Sequence, residues 1–184
     1  MMREQTERLS RMVRTLLDMS DLKTVPRTDR IQLAPMIEEV LADLSPLAEK
    51  SGVLLSQSGG DLWITGSDVL IYRAIFNLVE NGVKYNRPGG SVCVAVSQRG
   101  QEAVIEVKDT GCGIPEDFRE SVFQPFFRVD KSRSREKGGV GLGLALVWEI
   151  AHLHGGDVRV RESGESGTKI ELTLPASAEE RGMP

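Results

Sequence analysis

The 184-residue sequence has few cysteines and few histidines. Its two cysteines, Cys93 and Cys112, are too few for a disulfide framework and lack the spacing of a metal site, so we expect a reducing cytoplasm. Cys93 stands in a valine-rich run, and we expect it to be a small buried apolar residue. Cys112 lies between two glycines, where it is either an ordinary free thiol or a reactive one.

The sequence also lacks a long apolar run and an excess of basic charge. Its longest apolar stretch, Val140–Trp148, contains two glycines and is far shorter than the ~20 residues needed to cross a bilayer. The N-terminus is charged and amphipathic, unlike a signal peptide, so we expect a soluble segment without membrane contact. A net charge of -4 with interspersed signs argues against a nucleic-acid partner.

The first residues predict a helix. Apolar residues recur at helical spacing over residues 3–22, and arginines and aspartates fill the other positions. One such helix cannot bury its own apolar stripe. It either folds back on the rest of the chain or forms half of a helical hairpin that dimerises. We expect this helix to occupy residues 1–25, with a linker over residues 26–30.

The pattern of residues 31–175 predicts one α+β domain. Residues 176–184 are predicted to form a disordered tail. The 40% hydrophobic content is enough for a core. Helices covering one face of a mixed, mostly antiparallel sheet, in two layers, fit the order of the elements best. The predicted helices are 35–52, with Pro46 bending its end, 67–84 and 142–154; the predicted strands are 31–33, 53–56, 62–65, 92–96, 103–108, 158–161 and 169–174.

The predicted helix 67–84 has one polar side. Steps of 100° place Arg73, Asn77, Asn81 and Lys84 within an arc of about 80°, opposite the apolar residues. These residues are either ordinary solvated surface or a site for a hard cation. Mg²⁺ takes oxygen ligands and keeps several waters, so one amide oxygen together with phosphate groups would hold it.

A second cluster, Asp109-Thr-Gly111-Cys-Gly113-Ile114, follows a predicted strand directly. A carboxylate there can accept a hydrogen bond from an exocyclic amine, and the glycines let a base approach the backbone. The alternative is an ordinary Asx turn.

A third cluster, Gly139-Val-Gly141-Leu142-Gly143-Leu144, opens a predicted helix, whose unpaired N–H groups can meet a phosphate. No strand precedes it and the third glycine of a dinucleotide motif is missing, so a Rossmann site is excluded.

Together the clusters resemble the ATP-binding domain of two-component sensor histidine kinases, within the gyrase, Hsp90, histidine kinase and MutL superfamily with its Bergerat-type fold. The resemblance implies ATP and Mg²⁺ as ligands. By it, Asn81 holds the metal, Asn77 and Lys84 face the phosphates, and Tyr85 lies against the nucleotide. Further implied nucleotide contacts are Asp109 with the adenine amino group, Gly111, Gly113, Ile114 and Thr168 around the base, and Gly139, Gly141, Leu142, Gly143 and Leu144 at the phosphates.

Phe123-Gln-Pro-Phe126-Phe127-Arg128 resembles the family's phenylalanine box. The resemblance makes Arg128 catalytic beside Asn77 and Lys84, because a guanidinium stabilises charge on a transferring phosphoryl group. The following polar segment, with more basic than acidic residues, is either a mobile ATP lid or a solvated loop.

The only histidines, His152 and His154, lack the acidic neighbour of the family's phosphoacceptor. We explain His154 as a cation at a helix C-terminus. Residues 8–20 resemble the second helix of this family's dimerisation hairpin, so the resemblance implies that residues 1–25 are a remnant of that helix. The attacking histidine is expected outside this chain, on the dimerisation helices of the same kinase. The parent protein is expected to be a homodimer that passes the phosphoryl group to a response regulator receiver domain.

Two other functions stay open. The first is a clamp ATPase of the gyrase or MutL kind, which has a water-activating glutamate where Asn77 stands. Glu80 is displaced from Asn77 by about 60° around the helix and is poorly placed to replace it. The second is a non-catalytic nucleotide-sensing module. Whether the parent protein is anchored in a membrane is also open.

Overall fold

The computed structural model describes residues 21–129 and 141–177. The helix predicted over residues 3–22 therefore lies almost wholly outside the described residues, as do residues 130–140 and 178–184. At its end, Leu22–Thr24 form one turn of 3-10 helix, and Leu22 is buried in the hydrophobic core.

Seven strands and three α-helices make up the described part. In chain order they are β1 Asp29–Gln32, α1 Leu33–Ser51, β2 Leu54–Gly59, β3 Trp63–Gly66, α2 Asp68–Lys84, β4 Ser91–Arg99, β5 Glu102–Asp109, α3 Gly143–Leu153, β6 Asp157–Gly164 and β7 Gly167–Pro175. Two further 3-10 turns, Glu116–Phe118 and Ser121–Phe123, lie between β5 and α3. Among the described residues, no helix is long and apolar enough to span a bilayer.

A five-stranded sheet, in the order β2-β4-β5-β7-β6, forms one layer of the domain. Only β2 and β4 are parallel, and the other three neighbouring pairs are antiparallel. Strands β1 and β3 form a separate two-stranded sheet. The predicted α+β class with a mixed, mostly antiparallel sheet is confirmed.

The core lies between the helices and the sheet. Ile71, Ile75 and Val79 of α2 are fully buried, and so are Val92 and Val94 of β4. They belong to one cluster that also includes apolar residues of α1 and α3. Burial of side chains of this size contributes about 1.5–3 kcal/mol each, which is why the alternating and helical patterns predicted the layers correctly.

The C-terminal end of α1 follows the local sequence, whereas its first residue, Leu33, lies two positions before the predicted Pro35. Gly52 adopts a left-handed conformation (φ 64°) after the last helical residue, and its N–H bonds back to Ala48 and Glu49. Pro46 lies inside the helix, which continues to Ser51. Leu44 and Ala48 on either side of Pro46 are buried, so packing offsets the hydrogen bond that proline cannot donate.

The predicted strands 53–56 and 62–65 exist, but they belong to different sheets. β2 pairs with β4, whereas β3 pairs with β1. The chain around Gly59-Gly60 therefore changes sheet and does not form a hairpin. Asp29 and Arg30, within the predicted linker, are part of β1. In the predicted tail, Ala176 forms an isolated bridge with Ile64 of β3, and the N–H of Ser177 donates to the carbonyl of Trp63.

The expected burial of Cys93 in the core is wrong. Val92, Val94 and Val96 are buried, so the period of two along β4 turns Cys93 to the other face of the sheet. There it is half-buried, and its Sγ lies 3.7 Å from the hydroxyl of Ser58.

The interpretation of His154 as a helix-terminal cation is also wrong. Its Nδ1 donates to the carbonyl of Ile150 (2.7 Å), and its Nε2 accepts from the backbone N–H of Ser67 (3.0 Å). A nitrogen that accepts an N–H carries no proton, so the ring is neutral. Burial lowers the pKa of His154 in agreement with this arrangement.

Candidate nucleotide site

Helix α2 supplies one wall of the candidate site. Ser67 caps its N-terminus, because the Ser67 hydroxyl accepts from the N–H of Leu70. The apolar side of the helix is buried in the core, while Asn77, Asn81 and Lys84 remain half-buried. The polar side predicted from the sequence therefore lies on a different face of α2 from the side buried in the core.

The N-terminus of α3 meets this polar face. A Cβ atom added to Gly143 would lie 2.9 Å from Oδ1 of Asn77 and 3.9 Å from Nδ2 of Asn81. The capping residue Leu142 makes no side-chain hydrogen bond to the first turn of α3, so that turn presents backbone N–H groups beside the two asparagines. Leu142 is buried and Leu144 packs against the core, so both serve mainly to hold this helix end in place.

Asp109 is the last residue of β5 and lies beside Gly82 of α2. Its Oδ1 accepts from the backbone N–H of Gly111 (2.7 Å) and of Thr168 (3.2 Å), which is its direct partner on β7. Burial raises the pKa of Asp109, and the two backbone hydrogen bonds lower it. Oδ2 makes no hydrogen bond to the described residues, so it is the acceptor available to a ligand.

Gly82 lies between Asn81 and Asp109 and relates the two parts of the site. A Cβ atom on Gly82 would lie 3.5 Å from Cβ of Asp109, and Gly82 follows Asn81 directly in α2. Asn77 and Asn81 lie beside Gly143, and Asp109 lies beside the next residue of the same helix. The structure thus brings together the asparagines, the aspartate and the glycine-initiated helix.

The glycine turn after Asp109 packs tightly on two neighbouring segments. A Cβ atom on Gly111 would lie 2.5 Å from the carbonyl oxygen of Tyr85, which accepts from the N–H of Cys112. A Cβ atom on Gly113, at φ 76°, would lie 2.1 Å from the carbonyl oxygen of Gly164. Glycine is therefore required at both positions for close contact between backbones.

The phenylalanine box approaches α3 through Gly141. The N–H of Phe126 donates to the carbonyl of Gly141 (2.8 Å), and both residues have positive φ, 64° and 79° respectively. A left-handed phenylalanine is unusual and is held here by the surrounding contacts. Gly139, the remaining predicted phosphate-binding glycine, lies outside the described residues.

The two predicted cationic site residues have different surroundings. Lys84 forms an ion pair with Glu80, 2.7 Å away and four residues earlier on α2. Arg128 is half-buried, and its Nη2 is a buried donor without a hydrogen-bond acceptor among the described residues. No contact joins Arg128 to Asn77 or Lys84 within that part of the chain.

Sequence reasoning missed two polar networks behind the site. Oδ1 of Asn86 accepts from the hydroxyl of Thr110 (3.1 Å), and Nδ2 of Asn86 donates to the carbonyl of Ser91 (2.9 Å). The hydroxyl of Ser163 accepts from the N–H of Ile114 (2.6 Å) and lies 2.9 Å from that of Thr168. Only the hairpin register, which places Ser163 opposite Thr168, could have indicated the second network.

Comparison with known proteins identifies the family of this site. Residues 66–178 match the family model described as histidine kinase-, DNA gyrase B- and HSP90-like ATPase. The chain belongs to this family. Among its members it corresponds to the catalytic ATP-binding domain of two-component sensor histidine kinases.

Individual members of the ATPase family show the extent of the similarity. The sensor-like histidine kinase SenX3 of Mycolicibacterium smegmatis is 33% identical over 175 residues, which are 93% of this chain and 46% of SenX3. The chain thus spans about half the length of this curated relative. A solved structure of the mycobacterial sensor histidine kinase MprB has 28% identity and a TM-score of 0.71, and the match covers 81% of this chain and 97% of that one.

A third solved protein supports the fold alone. Full-length ShkA, solved in complex with AMPPNP, is 23% identical, with a TM-score of 0.80 over 96% of this chain and 37% of that chain.

Proposed function

We propose that this chain binds ATP with Mg²⁺ and transfers the γ-phosphoryl group to a histidine outside the chain. The observation that carries the proposal is the convergence on α2 of three groups. The first turn of α3 lies beside Asn77 and Asn81, and Asp109 lies beside Gly82. Family membership supports ATP as the nucleotide.

The residues at the two ends suit the two ends of the nucleotide. The free oxygen of Asp109 accepts a hydrogen bond from the 6-amino group of adenine. The N-terminal N–H groups of α3, at the positive end of the helix dipole, bind phosphate oxygens. The amide oxygen of Asn81 is the proposed metal ligand, with Asn77 beside it, and bound Mg²⁺ supplies positive charge to the phosphates.

Two cations are assigned to the phosphates. Arg128 has a buried N–H group that lacks an acceptor among the described residues, and a phosphate oxygen would satisfy it. Lys84 is held by Glu80, so we expect it to contact a phosphate only as part of this ion pair. Tyr85 and Thr168 are assigned to the base. Catalysis then consists mainly of positioning and charge stabilisation.

The histidine that accepts the phosphoryl group is assigned to another polypeptide segment. Both ring nitrogens of His154 are engaged, with Ile150 and with Ser67. His152 bonds the carbonyl of Trp148 through Nδ1 and stacks on the Trp148 ring at 3.8 Å. We propose histidine-bearing dimerisation helices of the same kinase as the acceptor, a homodimeric parent protein, and a response regulator receiver domain as the next partner.

The ion pair between Glu80 and Lys84 disfavours the alternative of a clamp ATPase. A carboxylate that accepts a proton from water must be oriented towards that water. Glu80 is directed instead along the helix to Lys84. ATP hydrolysis that depends on Glu80, and is lost in Glu80→Gln, would favour the ATPase.

The experiment mixes this chain with ATP, Mg²⁺ and a separate fragment that carries a dimerisation-helix histidine. We expect acid-labile phosphate on that fragment and none on this chain when it is incubated alone. A fragment with the histidine replaced by glutamine is the control. Phosphohistidine on this chain alone, or none on the fragment although the chain binds ATP, would contradict the proposal.

A further inference from the structure

The end of the β6–β7 hairpin is clamped onto the base end of the candidate site. A Cβ atom on Gly167 would lie 1.9 Å from the carbonyl oxygen of Asp109. A Cβ atom on Gly113 would lie 2.1 Å from the carbonyl oxygen of Gly164. Nη2 of Arg119 donates to the carbonyl of Ser163 (2.6 Å). These contacts hold Ser163 beside Thr168, its partner in the hairpin register.

The hydrogen bonds of Ser163 leave two possible directions for its hydroxyl proton. A serine hydroxyl has one proton to donate and two lone pairs that accept. One lone pair accepts from the N–H of Ile114 at 2.6 Å. The proton has two possible acceptors, Oγ1 of Thr168 at 2.9 Å and the carbonyl of Gly167 at 3.5 Å. Either hydroxyl can donate at 2.9 Å, and the arrangement in which Ser163 donates to Thr168 is the one that leaves the Thr168 proton available to a ligand.

This direction leaves the Thr168 hydroxyl with its own proton to donate. Thr168 is buried, and among the described residues its Oγ1 contacts only Ser163. Its backbone N–H is already bonded to Oδ1 of Asp109, on the neighbouring strand. A Thr168 hydroxyl that accepts from Ser163 can still donate its own proton to a ligand bound beside Asp109, its partner on the neighbouring strand.

The geometry points to Ser163 as a positioning residue that orients the Thr168 hydroxyl as a donor and so selects adenine over guanine. This inference rests on the proposed function. Adenine offers a 6-amino donor beside the acceptor N1, which matches an Asp109 acceptor beside a Thr168 donor. Guanine offers an O6 acceptor beside an N1–H donor, the reverse pattern. A site whose buried polar groups stay unpaired rejects the wrong ligand.

The test measures the dissociation constants of ATP and GTP by calorimetry, together with the thermal midpoint of the ligand-free chain. Loss of one oriented hydrogen bond in Ser163→Ala should weaken ATP binding about tenfold. GTP binding should change less, by under about twofold, so the preference for ATP narrows. Ser163→Thr, which keeps the hydroxyl, should restore the preference. Ser166→Ala, at an exposed position of the same turn, is the matched control.

A double-mutant cycle shows whether Ser163 acts through Thr168. In a Thr168→Val background, Ser163→Ala should cause no further change in the ATP-to-GTP ratio. Three results would overturn the inference. The first is equal weakening of ATP and GTP binding with a lowered thermal midpoint of the ligand-free chain. The others are an unchanged ATP-to-GTP affinity ratio in Ser163→Ala and additive effects of the two substitutions on that ratio. If the unaltered chain binds neither nucleotide, the proposed function fails and the inference fails with it.

Discussion

Nε2 of His154 lies 3.0 Å from the backbone nitrogen of Ser67 and accepts its hydrogen. Ser67 caps the N-terminus of α2, and His154 follows the last residue of α3. The two helices that form the candidate site are therefore tied together at the ends remote from Asn81 and Gly143. Ring and N–H are both partly shielded from water, so their bond is not easily replaced by hydration.

Acidification should weaken this tie. Burial, and secondarily the charge of Arg27, lowers the pKa of His154 below the ordinary value of 6.5. The unfolded chain then binds more protons than the folded one, so stability rises with pH. The contribution is complete above pH 6.5 and is lost as the pH falls through the folded-state pKa. Urea unfolding at a series of pH values from 7.5 to about 5 measures the slope.

A residue without a titrating side chain in place of His154 should reduce the dependence of the unfolding free energy on pH. We expect His154→Asn to lower the free energy of unfolding at pH 7.5 by about 1 kcal/mol, as for loss of an ordinary hydrogen bond, and to reduce the dependence on pH. His152→Asn, at an exposed position, is the control for the loss of a histidine elsewhere in the chain. An equal slope in His154→Asn would show that other groups cause the pH dependence.

Asp109→Asn should separate stability from nucleotide binding. Because burial raises the pKa of Asp109, its ionised form opposes folding once the pH exceeds the folded-state value. Asparagine keeps an oxygen for Gly111 and Thr168 and removes the charge, so ligand-free stability should stay equal or rise. Stabilisation by ATP at 100 times its dissociation constant, about 2.7 kcal/mol in the unaltered chain, should disappear.

Thermal unfolding with and without ATP and Mg²⁺ measures this effect. Asp117→Asn, an exposed aspartate in the 3-10 turn after the site, is the matched control and should keep the full shift. Full stabilisation of Asp109→Asn by ATP would refute the adenine assignment.

Gly143→Ala should impair binding without destabilising the fold. The added methyl group would lie 2.9 Å from Oδ1 of Asn77, so that amide must move. Alanine is a better helix former than glycine by about 1 kcal/mol, which offsets the shift of one side-chain end. We expect an unchanged or higher thermal midpoint and weaker ATP binding in calorimetry. Gly60→Ala, where no atom lies within 4 Å, is the control; equal affinity in both variants would contradict the proposed geometry.

Asn81→Ala should remove the dependence of ATP binding on Mg²⁺. If Asn81 is the only side-chain ligand, the metal loses its one fixed attachment to the protein. We expect ATP titrations with Mg²⁺ and with excess chelator to give the same affinity. Asn86→Ala provides the contrast, because it removes bonds to Thr110 and Ser91 and should lower stability while the Mg²⁺ dependence remains. If Mg²⁺ still increases the affinity of Asn81→Ala for ATP as in the unaltered chain, another residue holds the metal.

Local patterns predicted most of the fold because burial imposes them. The period of 3.6 in α2 and the alternation of valines in β4 each follow from one apolar side facing the core. Asn77, Asn81 and Asp109 could be found for the same reason, as polar residues that stand apart from those patterns. The pairing of β2 with β4, and of β1 with β3, could not, since strands distant in sequence compete for the same partners.

The sequence by itself determined which sides of the helices and strands are buried, where the helices begin and end to within two residues, and which polar groups are available to a nucleotide. These properties depend on neighbours a few positions away. Tertiary structure alone decided that His154 is a neutral acceptor, that Cys93 faces away from the core and that Ser163 lies beside Thr168. Protonation and hydrogen-bond direction depend on atoms within about 3 Å, and packing of distant segments supplies those atoms.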